Sequence, residues 1–320
     1  MIGAAVALVV TAVTAPLARR LGLTVGALDF PGGGLKPHPQ PVSYLGGLAV
    51  MVGVAAGMAA AGWPFPWVLP VAVFGIAVVG LADDVGDLPP ALRLLLQLGL
   101  GALLAWRGLG TDPFDLAVLG WVVAILLFAG TVNAVNMVDG MDGLAATTAA
   151  VSALGLYVIA LQGDRAEIEV LPLILAGAAT GFLPLNLPSA RLFLGNSGAY
   201  LLGGTLAVVI LNLGQSLPLL IGAGTCLGFF ALDLLASLIR RTLRGDALLG
   251  AYRNHLYDQL LARGLSVPRC LAVCVGIHAG LVAVGVVAAA TSAGIAVAIA
   301  AVAWLGALVG LGVNGFISRS

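Results

Sequence analysis

Two adjacent carboxylates end an apolar run of the chain, where Asp83 and Asp84 follow Gly80-Leu81-Ala82. Neighbouring carboxylates repel each other unless a cation lies between them. Mg²⁺ meets that need, because it binds oxygen ligands, commonly one or two carboxylates plus substrate phosphates. The pair therefore indicates a divalent-metal or phosphate site, although a solvated helix end explains an isolated Asp-Asp pair equally well.

A second polar group recurs at every third residue, in the order Asn133, Asn136, Asp139 and Asp142. At helical spacing these four side chains lie near one face, and the glycines after each aspartate open the backbone. Such a stripe suits a nucleobase, a sugar or a metal. The alternative is turn and capping chemistry, which uses the same residue types.

Two further segments offer groups for anions. Lys36 and His38 precede the second apolar run, and Arg253 and His255 lie in a basic segment near the C-terminal third. Arginine suits phosphates particularly well. The Gly-Asn-Ser-Gly turn around Asn196 opens a helix and presents backbone N–H groups. Each signal has an ordinary explanation too, since basic loops follow from membrane topology and every helix start needs a cap.

The elements that position these residues are membrane-spanning helices. The chain has 320 residues, of which 61% are hydrophobic and only 9% are charged. Runs of roughly 17–25 apolar residues are typical of such helices. The sequence predicts an all-α, polytopic integral membrane protein of ten or eleven spans and a single transmembrane catalytic domain, 1–320. The spans are predicted at 1–21, 42–62, 66–82, 91–106, 114–131, 143–161, 169–187, 197–212, 217–239, 269–291 and 293–315.

Lysine and arginine predict the orientation. If the N-terminus lies outside, twelve of the 14 positive residues fall on one side of the membrane, and only Arg107 and Arg165 fall on the other. The rich side is expected to be cytosolic. The candidate residues then gather at the cytosolic ends of the helices. Asp233 is an exception, because it lies within the ninth span, where an acid is costly and suggests a function.

Composition excludes other classes of protein. The formal net charge is zero, so no nucleic-acid partner is expected. Cys226, Cys270 and Cys274 form no CxxC pair and are predicted to be small buried hydrophobes. No positive residue precedes the apolar residues 1–18, which predicts a retained span rather than a cleaved signal. The 45 glycines suit close helix packing and are compatible with a homodimer.

Taken together, the motifs resemble those of the polyprenyl-phosphate N-acetylhexosamine-1-phosphate transferases. The family's Asn-x-x-Asn-x-x-Asp-Gly-x-Asp-Gly-Leu-Ala string is matched completely by residues 133–145, and its Asp-Asp loop is similar to Asp83-Asp84. Its early Asp-x-Pro…His…Pro…Gly-Gly stretch resembles Asp29 to Gly47. Its membrane Asp followed by a double Arg resembles Asp233, Arg240 and Arg241. The resemblance covers residues 29–264.

Two positions depart from the family's pattern. The family's Phe-x-Gly-Asp-x-Gly carries a metal-binding Asp, whereas this chain has Asn196, which offers an amide oxygen without the negative charge. The family's last loop often has a run of histidines, whereas only His255 occurs here. The second departure favours the surface-polysaccharide and O-antigen branch over the muramoyl-pentapeptide translocase.

The resemblance implies a reaction and a set of roles. A UDP-N-acetylhexosamine and undecaprenyl phosphate would give undecaprenyl-diphospho-N-acetylhexosamine and UMP, at the cytosolic face of the bacterial cytoplasmic membrane. The cofactor would be Mg²⁺, with Mn²⁺ as the alternative. Asp83 would be the base and, with Asp84 and Asn196, a metal ligand. The substrate-binding residues would be Asn133, Asn136, Asp139, Asp142, Lys36, His38, Arg253 and His255.

Three alternatives remain from the residues. Residues 139–146 contain the opening of the CDP-alcohol phosphotransferase motif, but Thr147 stands where that motif has Arg, and no Asp occurs in 148–163. A transporter or lipid flippase would place polar groups near the membrane midplane rather than at one interface. The Asn at position 196 leaves a non-catalytic homologue as the third alternative.

Overall fold

The structure is a computed structural model, and it describes residues 1–32, 40–62, 65–109, 116–163, 166–245 and 254–317. This part of the chain is almost entirely helical, apart from a two-residue antiparallel pair, β1 (Leu28–Asp29) and β2 (Val42–Ser43). The helices are α1 (Ile2–Val25), α2 (Gly46–Ala60), α3 (Val68–Gly86), α4 (Pro90–Trp106), α5 (Ala117–Val138), α6 (Leu144–Gln162), α7 (Ala166–Asn186), α8 (Gly195–Leu213), α9 (Leu217–Thr225), α10 (Gly228–Arg244), α11 (Leu256–Ala262), α12 (Val267–Ala289) and α13 (Ala293–Val313).

The all-α membrane fold is confirmed. Within the described residues, eight helices are long and apolar enough to cross a membrane, and α9 with α10 pass the same test only as a bent pair, which is the geometry of a broken span or a re-entrant loop. The shorter apolar helices α2 and α4 account for the remaining predicted spans. Each of the eleven predicted stretches therefore coincides with helix, because apolar length is the quantity that hydropathy reads directly.

The predicted ninth span, 217–239, coincides with two helices rather than with one straight helix. The helix breaks between Thr225 and Gly228, and the two pieces are bent by 78°. Gly228 has φ +38°, a backbone conformation that side-chain-bearing residues rarely adopt. The sequence carries no Pro at this point, so the break lacked its usual signal.

Helix α8 is the centre of the bundle, buried along nearly its whole length and packed against α3, α5, α2 and α7. Two glycines permit the closest approaches. A Cβ atom at Gly80 of α3 would lie 2.5 Å from the Asn196 carbonyl oxygen, and one at Gly47 of α2 would overlap the start of α8. These contacts draw the end of α3 and the start of α8 together.

The segment before α8 is held to the start of α2 by backbone hydrogen bonds. Phe193 N–H donates to the Ser43 carbonyl at 2.8 Å, and Gly46 and Gly47 N–H donate to the Phe193 and Leu194 carbonyls at 3.0 and 2.7 Å. The beginning of α8 is thereby fixed in position from two sides, by α2 and by α3. Its first turn carries Asn196, the residue that departs from the family's pattern.

Candidate active site at the helix ends

The helix ends enclose one large cavity of about 2220 Å³, which brings together most of the predicted site residues. Its polar part contains the ends of α3 and α5, the start of α8 and the start of α11. Its apolar part includes Leu94, Gly130, Leu234 and Leu238 from α4, α5 and α10. The predicted residues that line it are Asp83, Asp84, Asn133, Asn136, Asp139, Asp142, Asn196 and His255.

The Asp83 carboxylate accepts three hydrogen bonds. Its Oδ2 accepts hydrogen bonds from Arg93 Nη1 at 2.7 Å and from Asn196 Nδ2 at 2.9 Å, and its Oδ1 accepts one from Leu88 N–H at 2.9 Å. The Asp83 side chain is buried, whereas that of Arg93 is 29% exposed. The ion pair thus presents a cationic side chain at the cavity and holds it with a buried carboxylate.

Asp84 caps the first turn of α8, although it belongs to another helix. Its Oδ1 accepts from Asn196 N–H at 2.7 Å and its Oδ2 accepts from Ser197 N–H at 3.0 Å. Free N–H groups at a helix start attract negative charge, so Asp84 occupies the place that an N-cap residue of α8 would otherwise take. The close approach at Gly80 makes this contact between helices feasible.

The four-residue Asn/Asp stripe is divided between a helix and the turn that follows it. Helix α5 ends at Val138, so only Asn133 and Asn136 are helical, and the prediction of four groups on one helical face is wrong. Asn136 Nδ2 donates to Asn196 Oδ1 at 2.9 Å. Asn133 Nδ2 bonds to Gln97 Oε1 and to the carbonyl of Ala129. Both asparagines therefore join α5 to neighbouring elements.

The two aspartates of the stripe differ in their surroundings. Asp142 Oδ2 accepts from Ala190 N–H at 2.9 Å, which ties the turn after α5 to the segment before α8. The Asp139 carboxylate lines the cavity and has no hydrogen-bond partner within the described residues. Desolvation, followed by the nearby charges of Asp84 and Asp142, raises the pKa of Asp139 well above its usual range.

A second buried carboxylate holds the other side of the cavity. Asp233 of α10 is fully buried; its Oδ2 lies 2.6 Å from His255 Nδ1, and its Oδ1 accepts from Leu256 N–H at 2.7 Å. Since a carboxylate only accepts, His255 Nδ1 carries a hydrogen. The His255 ring also stacks on Tyr257. The costly membrane acid of the sequence is therefore explained by its two donors.

The double arginine of α10 has two different roles. Arg240 is buried, and its guanidinium donates to the carbonyls of Asn254 and Phe316 at 2.6 and 2.9 Å and to Ser237 Oγ at 2.9 Å. It therefore ties α10 to the start of α11 and to the C-terminal end. Arg241 lines the cavity instead. Of the pair, the second is the one positioned to meet a ligand.

Two residues that contact the predicted site residues were missed from the sequence, and three of the predicted residues cannot be placed in the structure. Arg93 was interpreted only as a topological charge, and Gln97 was not singled out at all. Both lie on one face of α4, four residues apart, which is the signal that was available. The predicted residues Lys36, His38 and Arg253 lie outside the described residues.

Comparison with known proteins identifies the family of the chain. Residues 66–214 match the family model described as glycosyl transferase family 4. The chain is 31% identical over 276 residues to a Bacillus subtilis (strain 168) protein named probable undecaprenyl-phosphate N-acetylglucosaminyl 1-phosphate transferase, with 82% of this chain and 77% of that protein covered.

Two further relatives carry related names. A decaprenyl-phosphate N-acetylglucosaminephosphotransferase of Mycolicibacterium smegmatis is 28% identical, covering 83% of this chain and 76% of its own length. A phospho-N-acetylmuramoyl-pentapeptide-transferase of Synechococcus sp. (strain JA-3-3Ab) is 33% identical, covering 75% and 77%. The chain therefore belongs to glycosyl transferase family 4, and the family predicted from the motifs is confirmed.

Proposed function

We propose that the protein transfers N-acetylglucosamine-1-phosphate from UDP-N-acetylglucosamine to a polyprenyl phosphate, giving polyprenyl-diphospho-N-acetylglucosamine and UMP. The names of the Bacillus and Mycolicibacterium relatives support this substrate pair. The single His255, where the family often has several histidines, favours this branch over the muramoyl-pentapeptide branch. The product would initiate synthesis of a cell-envelope polysaccharide.

The observation that carries the proposal is the Asp83–Arg93 ion pair in a cavity that is lined by both polar and apolar side chains. A polyprenyl phosphate has an apolar chain and an anionic head, and therefore needs both environments. Leu94, Leu234 and Leu238 suit the chain, and the Arg93 guanidinium suits the phosphate. A nucleotide sugar needs the polar part, where amide, carboxylate and aromatic side chains converge.

The reaction exchanges one phosphoanhydride for another. An oxygen of the polyprenyl phosphate attacks the phosphorus that bears the sugar, and the bond from that phosphorus to the bridging oxygen breaks, releasing UMP. The arriving phosphate competes for Arg93 and leaves Asp83 Oδ2 with Asn196 Nδ2 as its donor. Asp83 then takes the proton of any monoanionic phosphate, so that the attacking group is fully ionised. No phospho-enzyme is required, because the phosphate is itself a nucleophile.

For the nucleotide sugar, we place the contacts on the side of the cavity formed by the turn after α5 and by α11. Asp142, His255 and Arg241 line this side. Asn133 and Asn136 act there mainly by fixing the position of α5 against α4 and α8. Lys36, His38 and Arg253 remain predictions for phosphate or sugar contacts.

The proposed cofactor is Mg²⁺, with Mn²⁺ as the alternative. Asp83 and Asn196 are bonded to each other, which leaves Asn196 Oδ1 directed to Asn136 rather than to an ion. Asp84 and Asp139 are the better ligands, because Asp139 has no hydrogen-bond partner among the described residues and its carboxylate is close enough to that of Asp84 for their charges to repel. Bound there, the ion would offset the charge of the diphosphate, with substrate oxygens completing its ligands.

The proposed location is a bacterial cytoplasmic membrane, with the chain crossing it several times and the cavity facing the cytosol. The asymmetry of lysine and arginine supports this orientation. It also suits the substrates, because the nucleotide sugar is made in the cytosol and the lipid phosphate lies at the membrane interface. A homodimer stays a prediction from the glycine content.

The experiment is a substrate panel. Purified protein is incubated with undecaprenyl phosphate, Mg²⁺ and each of several radiolabelled UDP-N-acetylhexosamines, and lipid-linked label and UMP are quantified together. We expect equal amounts of both products, with UDP-N-acetylglucosamine the best donor. The absence of lipid-linked label from every donor would favour the transporter alternative or the non-catalytic homologue that Asn196 suggests.

A further inference from the structure

The break between α9 and α10 disrupts hydrogen bonds that a continuous helix would contain, including those of Phe229 and Phe230 N–H. In an unbroken helix, Phe229 N–H would donate to the Thr225 carbonyl and the Cys226 carbonyl would accept from Phe230 N–H. Here Phe230 N–H donates to Leu227 instead, at 2.9 Å. Inside a membrane no water is available to satisfy the freed groups, and each unsatisfied group is costly.

Two side chains from other helices replace these hydrogen bonds. Phe229 N–H donates to His278 Nδ1 of α12 at 3.0 Å, and Ser152 Oγ of α6 donates to the Cys226 carbonyl at 2.7 Å. Ser152 Oγ and His278 Nε2 are 3.0 Å apart. Both side chains are 0% exposed. We call Ser152 and His278 the polar bridge.

The hydrogen positions in the polar bridge follow from the contacts. Since His278 Nδ1 accepts from a backbone N–H, the ring hydrogen must be on Nε2, and the imidazole is neutral. Nε2–H therefore faces Ser152 Oγ, with the Thr148 carbonyl as a second acceptor, and the Ser152 hydrogen goes to the Cys226 carbonyl. Phe229 N–H, the Cys226 carbonyl, Ser152 Oγ and both ring nitrogens of His278 are thereby paired in one arrangement, which holds the break in its geometry.

Space for the imidazole is provided by Gly228. A Cβ atom at this position would lie 2.6 Å from His278 Nδ1. The edge of the His278 ring also packs against Phe230, with ring centroids 5.5 Å apart. The first residues of α10 are therefore shaped around His278 rather than merely adjacent to it.

The direction of α10 matters because of what this helix carries. Leu234, Leu238 and Arg241 line the cavity, and Asp233 holds His255. A rotation of α10 about the break would displace all of them together. Neither Ser152 nor His278 is among the residues that line the cavity.

We propose that Ser152 and His278 are positioning residues, which set the direction of α10 and so shape the cavity wall that receives the polyprenyl chain. This inference rests on the proposed function, because it assigns the α10 side of the cavity to the lipid substrate. A purely structural role would instead lower the stability without changing one substrate's binding more than the other's.

The kinetic test compares two substitutions on α6. Ser152→Ala removes the hydroxyl half of the polar bridge, whereas Thr148→Val is the matched control, since Thr148 Oγ1 donates only within its own helix, to the Leu144 and Ala145 carbonyls. We expect Ser152→Ala to raise the KM for undecaprenyl phosphate about tenfold, the effect of losing one buried hydrogen bond, and to change the KM for UDP-N-acetylglucosamine less than about twofold. Thr148→Val should change neither KM. Equal changes in both KM values would overturn the proposal.

A conservative pair at His278 covers the case in which Ser152→Ala does not fold. Asn offers an oxygen in place of Nδ1, so His278→Asn keeps the acceptor for Phe229 N–H, and His278→Leu does not. We expect His278→Asn to retain more affinity for undecaprenyl phosphate than His278→Leu. Equal KM values for the two variants would contradict the assignment.

A distance measurement tests the polar bridge independently of catalysis. Spin labels at Ser216 and Leu243, both exposed, report the angle between α9 and α10. The three natural cysteines are buried. Ser152→Ala should broaden or shift the distance distribution, and Thr148→Val should leave it unchanged. An unchanged distribution in Ser152→Ala would overturn the proposal even in an active enzyme, whereas a shifted one in a protein without transferase activity would refute only the proposed function.

Discussion

The two sides of the cavity are built in different ways. On the side of α3 and α8, glycines let two backbones approach until Asp83 and Asp84 reach the first turn of α8. On the side of α10, buried side chains carry the structure, with Asp233 holding His255 across the start of α11. The α3–α8 side is fixed by close backbone packing, and the α10 side by individual hydrogen bonds. Substitutions on the α3–α8 side should therefore lower the activity more than substitutions on the α10 side.

The largest effect is expected at the carboxylate of the α3–α8 side. Asp83→Asn would place an amide where Arg93 and Asn196 both donate, leaving the cation without its counter-charge. We predict that kcat/KM falls at least about 10²–10³-fold in the radiometric transferase assay. Glu169→Gln, a substitution of the same kind near the start of α7, is the control. A kcat/KM near that of the wild type in Asp83→Asn would rule out its role as base.

The next test breaks the close approach itself. Gly80→Ala would bring a Cβ atom to 2.5 Å from the Asn196 carbonyl, whereas Gly75→Ala on the same helix meets only Leu100 side-chain atoms at 3.6 Å or more. We predict a loss of about 10²-fold in activity for Gly80→Ala, because a small misplacement of the reacting groups has that effect. Gly75→Ala should remain close to wild type, and similar losses in both would mean that the approach of α3 to α8 is not critical.

On the α10 side, Asp233→Asn should have a smaller effect. The Asn side chain keeps one oxygen that can accept from Leu256 N–H. Its NH₂ group, however, would face His255 Nδ1–H, so that two donors meet. We predict a fall of about tenfold in kcat/KM, the weight of one charge-assisted hydrogen bond. Thr242→Val, which removes a hydroxyl bonded within α10, serves as the control. If kcat/KM of Asp233→Asn fell as far as that of Asp83→Asn, the two sides of the cavity would not differ in their tolerance of substitution.

The smallest predicted effect concerns Asp139 and pH. Because the pKa of Asp139 is raised in the folded protein, ionising it costs stability, and the cost appears as pH rises through the raised pKa. In EDTA, Asp139→Asn should therefore raise the Tm by about 2 °C at pH 8 and leave it unchanged near pH 4. Mg²⁺ should stabilise the wild type at pH 8 and Asp139→Asn less. A gain that is independent of pH would contradict the assigned cause.

The sequence predicted those features that depend on composition or on a complete motif. Apolar length located all eleven helical stretches, and the polar strings identified eight residues that do line the cavity. The break at Gly228 was not predicted, because the groups that satisfy it, Ser152 and His278, belong to other helices. Arg93 was missed because a charge at a helix start is typical of membrane topology, and only its ion pair with Asp83 reveals another role.

The most direct measurement follows the two phosphorus atoms of the donor separately. UDP-N-acetylglucosamine is labelled with ³²P either at the phosphorus next to the sugar or at the phosphorus next to uridine, and each form is incubated with undecaprenyl phosphate and the protein. The account predicts that the first label passes to the lipid and that the second is released in UMP. Asp83→Asn should form neither labelled product. Lipid product that carries the uridine-side label, or no labelled lipid at all, would contradict it.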